Sequence, residues 1–591
     1  MTRRASPVSP PNFSSIVRSG RPASGSADAE ATAPVPRRTF ELQASVELIV
    51  VAAALLWTVT VNRDFLSAAT ASDGAPAGAA FAAALAVLVF SAHALLLGLV
   101  ANRWTVKPLV AALTVTGALA HYFTTAYGIV LEPSMLRNVI RTDPAEAGEL
   151  ISGRLLAHLA LYAGLPLLLL WRVRVARHGW RRSTLQRAGL LGLVALLLAG
   201  AVLAQFQPLA SRMRNDRSLR YLITPANVVW SLGSVAAADV RGAARPREPI
   251  GLDAAAGPSW QARRKPLVVL VVVGETARAA NWGLSGYARQ TTPELARLPV
   301  VNFPEVVSCG TNTEVSVPCM FAPVGRRDYD EARIRGQQSL LHVAARAGVA
   351  VHWRDNQSGC KGACDGLPFE RVSSLQDGPP CEGERCQDEG LVRDLGTRLA
   401  AAKGTQLWVL HMLGNHGPSY FRRYPERFAK FLPDCRSDEL RDCSTEQIVN
   451  AYDNALLYTD HLLAATIAQL KARSDEIDSA LIYVSDHGES LGEHGLFLHG
   501  APYAIAPDVQ TRVPMVAWTS PGLERAAGLA PGCLEPALRR AAGGRISHDH
   551  LFHTVLGLLD VRTALHEPAL DLVDACRGRA ASALVADSGR P

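Results

Sequence analysis

Five long apolar runs in the first 210 residues constrain the fold of this chain more than any other feature. They cover Ala44–Val61, Ala77–Val100, Leu109–Ile129, Leu155–Trp171 and Ala188–Phe206. Each run approaches the ~20 residues that an α-helix needs to cross ~30 Å of hydrocarbon. The chain of 591 residues is 48% hydrophobic, which is too high for an entirely water-soluble protein. The sequence therefore predicts a five-helix transmembrane domain at 44–209.

Charged residues between the runs set the orientation of the predicted helices. Arg103 and Lys107 lie between the second and third runs, and six arginines lie within 172–187, between the fourth and fifth. The other loops carry fewer basic and more acidic residues, such as Glu146 and Glu149. Because cytoplasmic loops are enriched in Lys and Arg, the N-terminus is predicted to be cytoplasmic. An odd number of spans then places everything after residue 210 on the opposite side of the membrane.

Two polar segments border the apolar runs. Residues 1–43 are rich in Ser, Pro, Ala and Arg, which predicts a disordered basic cytoplasmic arm without a cleaved signal peptide. Residues 210–264 mix arginines with aromatic residues and end in a stretch that contains Gly and Pro. This composition predicts interfacial bridging helices along the lipid headgroups, followed by a linker.

All ten cysteines lie after the apolar half, between Cys309 and Cys576. Eight of them form close pairs along the chain: Cys309/Cys319, Cys360/Cys364, Cys381/Cys386 and Cys435/Cys443. Zinc ribbons are an alternative, but they usually need two CxxC pairs, and this chain has no CxxC. Local pairs in even number favour disulfides in an oxidising compartment, which agrees with the predicted export. The partners of Cys533 and Cys576 stay open.

Residues 265–591 alternate predicted strands with predicted helices. The strands are Pro266–Val273, Val300–Val307, Val349–Trp353, Gln406–Leu410 and Ala480–Ser485, and the helices include Ser339–Ala347, Gly390–Ala402 and Thr445–Lys471. Continuous apolar strands are typical of a parallel sheet that is covered on both faces. The alternation predicts an α/β domain with a mostly parallel sheet flanked by helices. The net charge of +7 is modest and its basic residues follow the membrane topology, so no nucleic-acid partner is expected.

Polar residues follow the ends of several predicted strands. Glu275 follows the first strand, and Asp486 and His487 follow the last. Because ligands bind at the carboxyl ends of parallel strands, these side chains are expected to meet. Their oxygen and nitrogen atoms suit zinc, and three protein ligands leave a position open. The sequence therefore predicts a zinc site with one exchangeable position.

The stretch Ser308–Cys319, SCGTNTEVSVPC, supplies the candidate nucleophile, Thr311. A strand-to-helix turn offers free backbone N–H groups to an anion. A hydroxyl beside zinc loses its proton more easily, as bound water does at a pKa of about 7, and can then attack phosphorus. His416 and His499 are expected to contact phosphate oxygens or to shuttle protons. The alternative is an ordinary N-cap threonine beside a structural disulfide.

A polar stripe is predicted in the loop after the third run. Asn138, Thr142 and Glu146 recur at i, i+4 and i+8, so on one helix they would share a face. The simpler interpretation is the solvated face of an interfacial helix.

Several motifs, in order along the chain, resemble those of the phosphoethanolamine transferases. These enzymes are membrane-anchored members of the alkaline phosphatase-like superfamily and include lipid A-modifying and mobile colistin-resistance enzymes. The motifs are GETARAANWGLSGY (274–287), SCGTNTEVSVPCMF (308–321), DNQSGCKGACD (355–365), HMLGNHGPSYFRRYP (411–425) and SDHGESLGEHGLFLHGAPY (485–503). In the membrane half, YGIVLEPSMLRNVIRTDPAEA (127–147) resembles the same family. The resemblance implies an alkaline phosphatase/sulfatase-like catalytic domain.

The resemblance also implies site residues and a reaction. Thr311 would carry phosphoethanolamine covalently, and Glu275, Thr311, Asp486 and His487 would bind the catalytic Zn2+. The implied substrate-binding residues are Asn138, Thr142, Glu146, Ser358, Lys361, His416 and His499. The reaction takes phosphoethanolamine from phosphatidylethanolamine to a phosphate of lipid A, which gives resistance to polymyxin. The implied protein is a multi-pass monomer among the lipids of the inner membrane, with its catalytic domain at 265–591 in the periplasm.

Three other functions stay open. The acceptor could instead be the Kdo or core heptose of lipopolysaccharide, or the chain could be a related phosphoglycerol transferase. A sulfatase needs a Cys or Ser within C/S-x-P/A-x-R, which the stretch at 309–313 lacks. A membrane-anchored binding protein with a relic metal site would bind zinc without turnover.

Overall fold

The computed structural model describes residues 42–71, 78–142, 144–215, 217–243, 246–375, 381–382 and 385–577. The predicted disordered arm at 1–43 lies outside these residues except for its last two positions. The described residues form a helical half followed by an α/β half, in the predicted order.

The helical half contains four described helices that are long and apolar enough to cross a membrane. They are Ala79–Val100, Val106–Tyr127, Gly153–Arg172 and Trp180–Ala204. A fifth span results if the helices Val46–Val59 and Arg63–Thr70, which are bent by 52°, count as one. The five elements correspond to the five predicted runs, with shifted ends.

Shorter helices lie at the ends of the spans. The helices Pro133–Arg141 and Pro144–Glu149 precede the span Gly153–Arg172. After the last span follow the helix Phe206–Asn215, the 3-10 helix Arg217–Leu222 and the helix Ala226–Ala243. Helix Ala226–Ala243 packs against Pro133–Arg141. These contacts join the helix that precedes the span Gly153–Arg172 to a helix that follows the span Trp180–Ala204.

The central sheet of the α/β half contains eight described strands. They are β1 (Leu267–Gly274), β2 (Val301–Val307), β3 (Ala350–Asp355), β4 (Phe369–Arg371), β5 (Thr405–His411), β6 (Asp478–Ser485), β7 (Arg512–Thr519) and β8 (Ile546–Ser547). Their order in the sheet is β8-β2-β7-β6-β1-β5-β3-β4. Only β7 runs antiparallel to its neighbours, which confirms the predicted mostly parallel sheet.

Strand β1 shows why its sequence is apolar throughout. Val269 and Val271 belong to the apolar cluster on one face of the sheet, and Val268 and Leu270 belong to the cluster on the other. The first face is covered by helices Leu340–Arg346, Leu534–Ala542 and Asp549–Leu559, and the second by Leu395–Ala400 and Thr445–Ala472. Successive side chains point to opposite faces, so burial on both faces requires an unbroken apolar run.

Five disulfides join all ten cysteines. Four of them are the predicted local pairs, Cys309–Cys319, Cys360–Cys364, Cys381–Cys386 and Cys435–Cys443. The fifth joins Cys533 to Cys576 and settles the pairing that the sequence left open. Three strands have no counterpart among the strands that the sequence predicts: the short strands β4 and β8, and the eight-residue strand β7. The predicted helix Gly390–Ala402 is shorter and spans Leu395–Ala400.

Candidate active site

Turns at the carboxyl ends of β1, β2 and β6 meet at one edge of the sheet. Glu275 directly follows β1, and Asp486 and His487 directly follow β6. Gly274 pairs with Ser485 in the parallel register, so the two turns leave the sheet at the same level. Helix Thr313–Met320 begins after the turn that follows β2. This arrangement brings three separate parts of the chain to one place.

Glu275, Asp486 and His487 form a buried cluster of candidate metal ligands. One ligand atom from each residue lies within 4.8 Å of the others. His487 Nε2 lies 3.3 Å from Glu275 Oε1 and 3.2 Å from Asp486 Oδ2. His487 Nδ1 lies 2.9 Å from the carbonyl oxygen of Gly488, which assigns the proton to Nδ1. Nε2 faces the two carboxylates and can bind a metal in place of a proton.

The remaining contacts of these residues fit a bound cation. Glu275 Oε1 and Asp486 Oδ2 are buried and accept no hydrogen bond from the described residues. Their companion oxygens are satisfied: Gln357 Nε2 donates to Glu275 Oε2 at 2.9 Å, and the His487 backbone N–H donates to Asp486 Oδ1 at 2.7 Å. Buried carboxylate oxygens without a partner are costly unless a cation neutralises them. The residues therefore fit a metal-binding site.

The pKa values of the three cluster residues also favour a bound cation. Burial raises the pKa of Asp486 to about 6, and the charge of Glu275 adds to this effect. Burial disfavours the charged forms of Glu275 and His487, but the opposite charges of these two side chains stabilise each other. The pKa of Glu275 is lowered, and Asp486 and Glu275 raise the pKa of His487 to about 9. The cluster thus holds an excess of negative charge that a metal ion would neutralise.

The structure brings Thr313, rather than the predicted Thr311, to the metal ligands. Thr311 Oγ donates a hydrogen bond to the carbonyl of Ala501 at 2.7 Å. Thr313 Oγ donates to Glu275 Oε2 at 3.0 Å and lies 3.3 Å from His487 Nε2. The hydroxyl beside the cluster is therefore that of Thr313, and the expectation for Thr311 is corrected.

The start of the helix explains this difference of two residues. Asn312 is the N-cap, and its side chain accepts from the backbone N–H of Val315 at 3.0 Å. Thr313 is the first helical residue and lies where backbone N–H groups lack intrahelical partners and the helix dipole is positive. Thr311 belongs to the preceding turn, where its carbonyl accepts from the Gly500 N–H at 2.7 Å. The asparagine before the helix was the sequence signal for this start.

Two of the predicted histidines lie beside the cluster. The ring centroid of His499 is 4.5 Å from that of His487 and 5.3 Å from that of His416. His416 Nε2 lies 3.0 Å from Glu146 Oε1, so this residue of the helical half reaches the site. Burial opposes the charge of His416, but the Glu146 carboxylate outweighs it and raises the pKa of His416 to about 10. His416 is therefore protonated at neutral pH.

Glu489 is a site residue that the sequence analysis did not identify. Its Oε2 lies 2.9 Å from His499 Nδ1, and its Oε1 accepts from the Tyr420 hydroxyl at 2.8 Å. This contact fixes the orientation of the His499 ring and directs Nε2 away from Glu489. Glu489 lies in the DHGE motif, directly after Gly488, and that position was its sequence signal.

The predicted residues Ser358 and Lys361 meet in the loop around the disulfide Cys360–Cys364. Lys361 Nζ donates to Ser358 Oγ at 2.5 Å and lies 3.8 Å from Glu314 Oε2. Lys361 has a φ of 50°, a left-handed conformation that is uncommon for a residue with a side chain. The loop holds the ammonium group in a defined place, and such backbone strain is concentrated at functional sites.

The sequence predicted that Asn138, Thr142 and Glu146 share one face of a single helix, and this prediction is wrong. Asn138 lies in helix Pro133–Arg141, Thr142 is extended, and Glu146 lies in a second helix that begins at Pro144. Proline cannot continue the preceding helix, because it lacks a backbone N–H. Thr142 Oγ donates to the Asn138 carbonyl at 2.9 Å. Of the three side chains, that of Glu146 makes the ion pair with His416 described above.

Family models match both halves of the chain. A model described as Phosphoethanolamine transferase EptA/EptB matches residues 89–240. A model described as Sulfatase matches residues 267–561, a range that contains all eight described strands of the central sheet.

Similar proteins cover most of the chain. Phosphoethanolamine transferase EptA of Escherichia coli K12 is 40% identical over 496 residues, which are 83% of this chain and 89% of that protein. Phosphatidylethanolamine transferase Mcr-1 of Escherichia coli is 37% identical over 527 residues, 87% of this chain and 95% of the relative. The solved integral membrane EptA of Neisseria meningitidis, a lipooligosaccharide phosphoethanolamine transferase, superposes with a TM-score of 0.84 at 36% identity, covering 91% of this chain and 99% of that one.

Proposed function

The chain belongs to the EptA/EptB phosphoethanolamine transferase family, and on this premise we propose that it transfers phosphoethanolamine from phosphatidylethanolamine to a phosphate group of lipid A. Each transfer places a cationic ammonium beside an anionic phosphate. This weakens the attraction of cationic peptides such as polymyxin to the lipid surface. The protein is therefore proposed to give resistance to them.

The observation that carries the proposal is the position of the Thr313 hydroxyl. It lies 3.0 Å from Glu275 Oε2 and 3.3 Å from His487 Nε2, at the N-terminus of a helix. A nucleophilic hydroxyl needs such an environment, because its own pKa is far above neutral. Thr313 is therefore the proposed carrier of phosphoethanolamine.

Zinc is the metal that we propose for the cluster of Glu275, Asp486 and His487. Two carboxylates and one imidazole are a typical ligand set for catalytic zinc, which keeps a further position open. When bound, zinc lowers the pKa of a neighbouring hydroxyl and neutralises charge on phosphoryl oxygens. Removal of zinc is accordingly expected to abolish transfer.

In the first half-reaction, the Thr313 oxygen bonds to the phosphorus of phosphatidylethanolamine. The bond from phosphorus to the diacylglycerol oxygen breaks, and the Thr313 proton leaves through its hydrogen bond to Glu275. The protonated His416 supplies a proton to the departing diacylglycerol. In the second half-reaction, an oxygen of the acceptor phosphate bonds to the same phosphorus. The bond to Thr313 breaks, and the Thr313 oxygen regains its proton from Glu275. The acceptor phosphate gives up its own proton to His416, which restores the starting protonation.

The helical half brings both lipids to this site. Glu146 offers a carboxylate near His416, and we propose that it attracts the ethanolamine ammonium together with Asn138 and Thr142. Ser358, Lys361 and His499 are proposed to contact the phosphate. Since donor and acceptor are both lipids, anchoring the catalytic half at the membrane surface raises their local concentration.

We also propose the location and borders of the parts. The membrane domain at 44–209 lies in the inner membrane, the bridging segment at 210–264 lies along its outer surface, and the catalytic domain at 265–591 lies in the periplasm. The five disulfides support this location, because disulfides persist in oxidising compartments.

Labelling of the enzyme tests the proposed nucleophile. Incubation with phosphatidylethanolamine that carries a labelled headgroup is expected to label Thr313, as located by peptide mass spectrometry. Thr313→Ala should abolish both labelling and transfer, whereas Thr311→Ala should keep transfer within about 5-fold of wild type. Transfer by a Thr313→Ala enzyme would refute the covalent step.

Mass spectrometry of lipopolysaccharide tests the acceptor. Cells that express the protein should produce lipid A that is heavier by one phosphoethanolamine group. Unmodified lipid A with a phosphoethanolamine on Kdo or heptose would support the alternative acceptor. A gain of glycerol phosphate would support the phosphoglycerol transferase.

A further inference from the structure

We propose that Glu314 is a positioning residue that fixes the interfacial helix Pro133–Arg141 against the helix that carries Thr313. The inference rests on the proposed function, because it concerns the alignment of the donor lipid with the nucleophile. Nothing in the family resemblance assigns a role to this carboxylate. It directly follows Thr313 in the first turn of the helix.

Glu314 is a fully buried carboxylate that is surrounded by cations. Arg141 Nη1 donates to its Oε1 at 2.6 Å, and Arg335 Nη2 lies 3.0 Å from the same oxygen. Its Oε2 lies 3.8 Å from Lys361 Nζ and accepts no hydrogen bond from the part of the chain that the structure describes. Three cationic side chains thus converge on one carboxylate.

The three cations come from segments with different roles. Arg141 ends the interfacial helix that carries Asn138. Lys361 lies in the disulfide loop beside Ser358. Arg335 lies in helix Glu331–Gly336 and also donates to the backbone carbonyl of Glu314 at 2.7 Å. Glu314 therefore connects both proposed donor-binding segments to the nucleophile helix at one point.

Stability alone gives a weak reason for such a residue. Burying an ion pair costs a desolvation energy that often cancels the Coulomb attraction, and a well-packed apolar group of similar size would serve the core as well. An ion pair with short charge-assisted hydrogen bonds adds a defined distance and direction. Because Glu314 adjoins Thr313, this restraint sets where the Thr313 hydroxyl lies relative to the donor headgroup. A displacement of about 1 Å can reduce a rate by about 100-fold.

Glu331 provides a matched comparison within the same interface. It forms an ion pair with Arg137 of the same interfacial helix and another with Arg335, whose Nε lies 3.0 Å from Glu331 Oε1. Glu331 lies outside the nucleophile helix. Its removal therefore weakens the attachment of the helical half without releasing the turn that contains Thr313.

The experiment measures the two half-reactions separately in the full-length, zinc-loaded protein. The first is the release of fluorescent diacylglycerol from labelled phosphatidylethanolamine in a single turnover without acceptor. The second is the loss of the labelled headgroup from the modified enzyme after lipid A is added.

The variants are expected to affect the two half-reactions differently. Glu314→Gln and Arg141→Gln should slow the first half-reaction 10- to 100-fold and change the second by less than about 3-fold. Glu331→Gln should change both steps by less than about 3-fold.

The outcomes separate positioning from general attachment. Arg141 is partly exposed, so Arg141→Gln gives a folded test if Glu314→Gln lowers the yield of folded protein. The double variant should be no slower than Glu314→Gln alone, because both changes break one link. Equal slowing of both half-reactions, or equal effects of Glu314→Gln and Glu331→Gln, would overturn the proposal. If the wild-type protein released no diacylglycerol, the proposed function itself would fail instead.

Discussion

A threonine becomes a nucleophile through its surroundings. The chain places two threonines within three residues, and their side chains differ only in what they contact. Thr311 Oγ satisfies a backbone carbonyl, whereas Thr313 Oγ faces a carboxylate and an imidazole of the metal cluster. The second environment favours loss of the hydroxyl proton once a cation is bound. At the residue scale, function depends on which hydroxyl meets the cluster.

Substitution of a proposed metal ligand provides a prediction at this scale. Glu275→Gln keeps the size of the side chain but removes the charge that binds the metal. We expect at least a 100-fold loss of transfer. We also expect less zinc per protein, measured by inductively coupled plasma mass spectrometry. Chelation of the wild type should abolish transfer, and added zinc should restore it. Glu305→Gln, at an exposed carboxylate, is the control and should keep both zinc and activity.

At the scale of elements, the helix Thr313–Met320 carries the proposed nucleophile on its first residue. Its start is defined by the Asn312 cap, and its body packs Val317 and Met320 into the core beside the sheet. The short turn after β2 then leaves Thr313 at the edge of the sheet beside Glu275. The position of one cap therefore controls the geometry of the site.

Removal of this cap is expected to affect both stability and activity. Asn312→Ala removes the acceptor for the Val315 N–H and should cost about 1 kcal/mol, measured by urea unfolding. The same change should lower transfer at least 5-fold, because the first turn that carries Thr313 becomes less ordered. Asn312→Asp, which can also cap a helix, should restore much of the stability.

A second cap serves as the matched control. Ser444 caps the helix Thr445–Ala472 and forms a capping box with Gln447. Ser444→Ala should cost a similar ~1 kcal/mol but leave transfer near the wild-type rate. Equal loss of activity in both variants would show that stability alone, and not the position of Thr313, explains the effect of Asn312→Ala.

At the scale of the whole molecule, the two halves share a continuous interface. Tyr122 and Tyr127 of the helical half belong to the same apolar cluster as Leu270 of β1. Polar links border this cluster, since the Tyr122 hydroxyl donates to Glu439 at 2.5 Å and Glu149 forms a buried ion pair with Arg423. The α/β half is therefore held directly against the end of the candidate membrane span Val106–Tyr127.

The His416–Glu146 ion pair across this interface predicts a pH dependence. His416 has a folded pKa of about 10, above its ordinary value, so its contribution is complete below pH ~6.5 and is lost as the pH rises towards 10. The pKa of Glu146 is lowered by His416 despite burial, so its contribution is lost in acid instead. The Tm difference between wild type and His416→Asn should therefore be largest near pH 5–6.5 and shrink towards pH 10. A difference that grows with rising pH would contradict this assignment.

Much of the fold and site was predictable because it depends on local patterns. The apolar runs predict the membrane helices, and the unbroken run at β1 predicts a strand that is buried on both faces. Glu275, Asp486 and His487 were identifiable because each directly follows such a strand. The strand β7 was missed, because its antiparallel pairing depends on partners distant in sequence.

The sequence by itself determined the candidate membrane spans, the α/β class, the local disulfides and the three candidate metal ligands, since each follows from composition or from short-range spacing. Only the tertiary structure decided that Thr313 meets the cluster, that Glu146 reaches His416, and that Glu314 gathers three cations. These contacts join residues that are far apart in the chain, and a difference of one or two residues in where a helix begins redirects a side chain. Their physical basis is the packing of the sheet and its turns and of the two halves against each other, which no local pattern encodes.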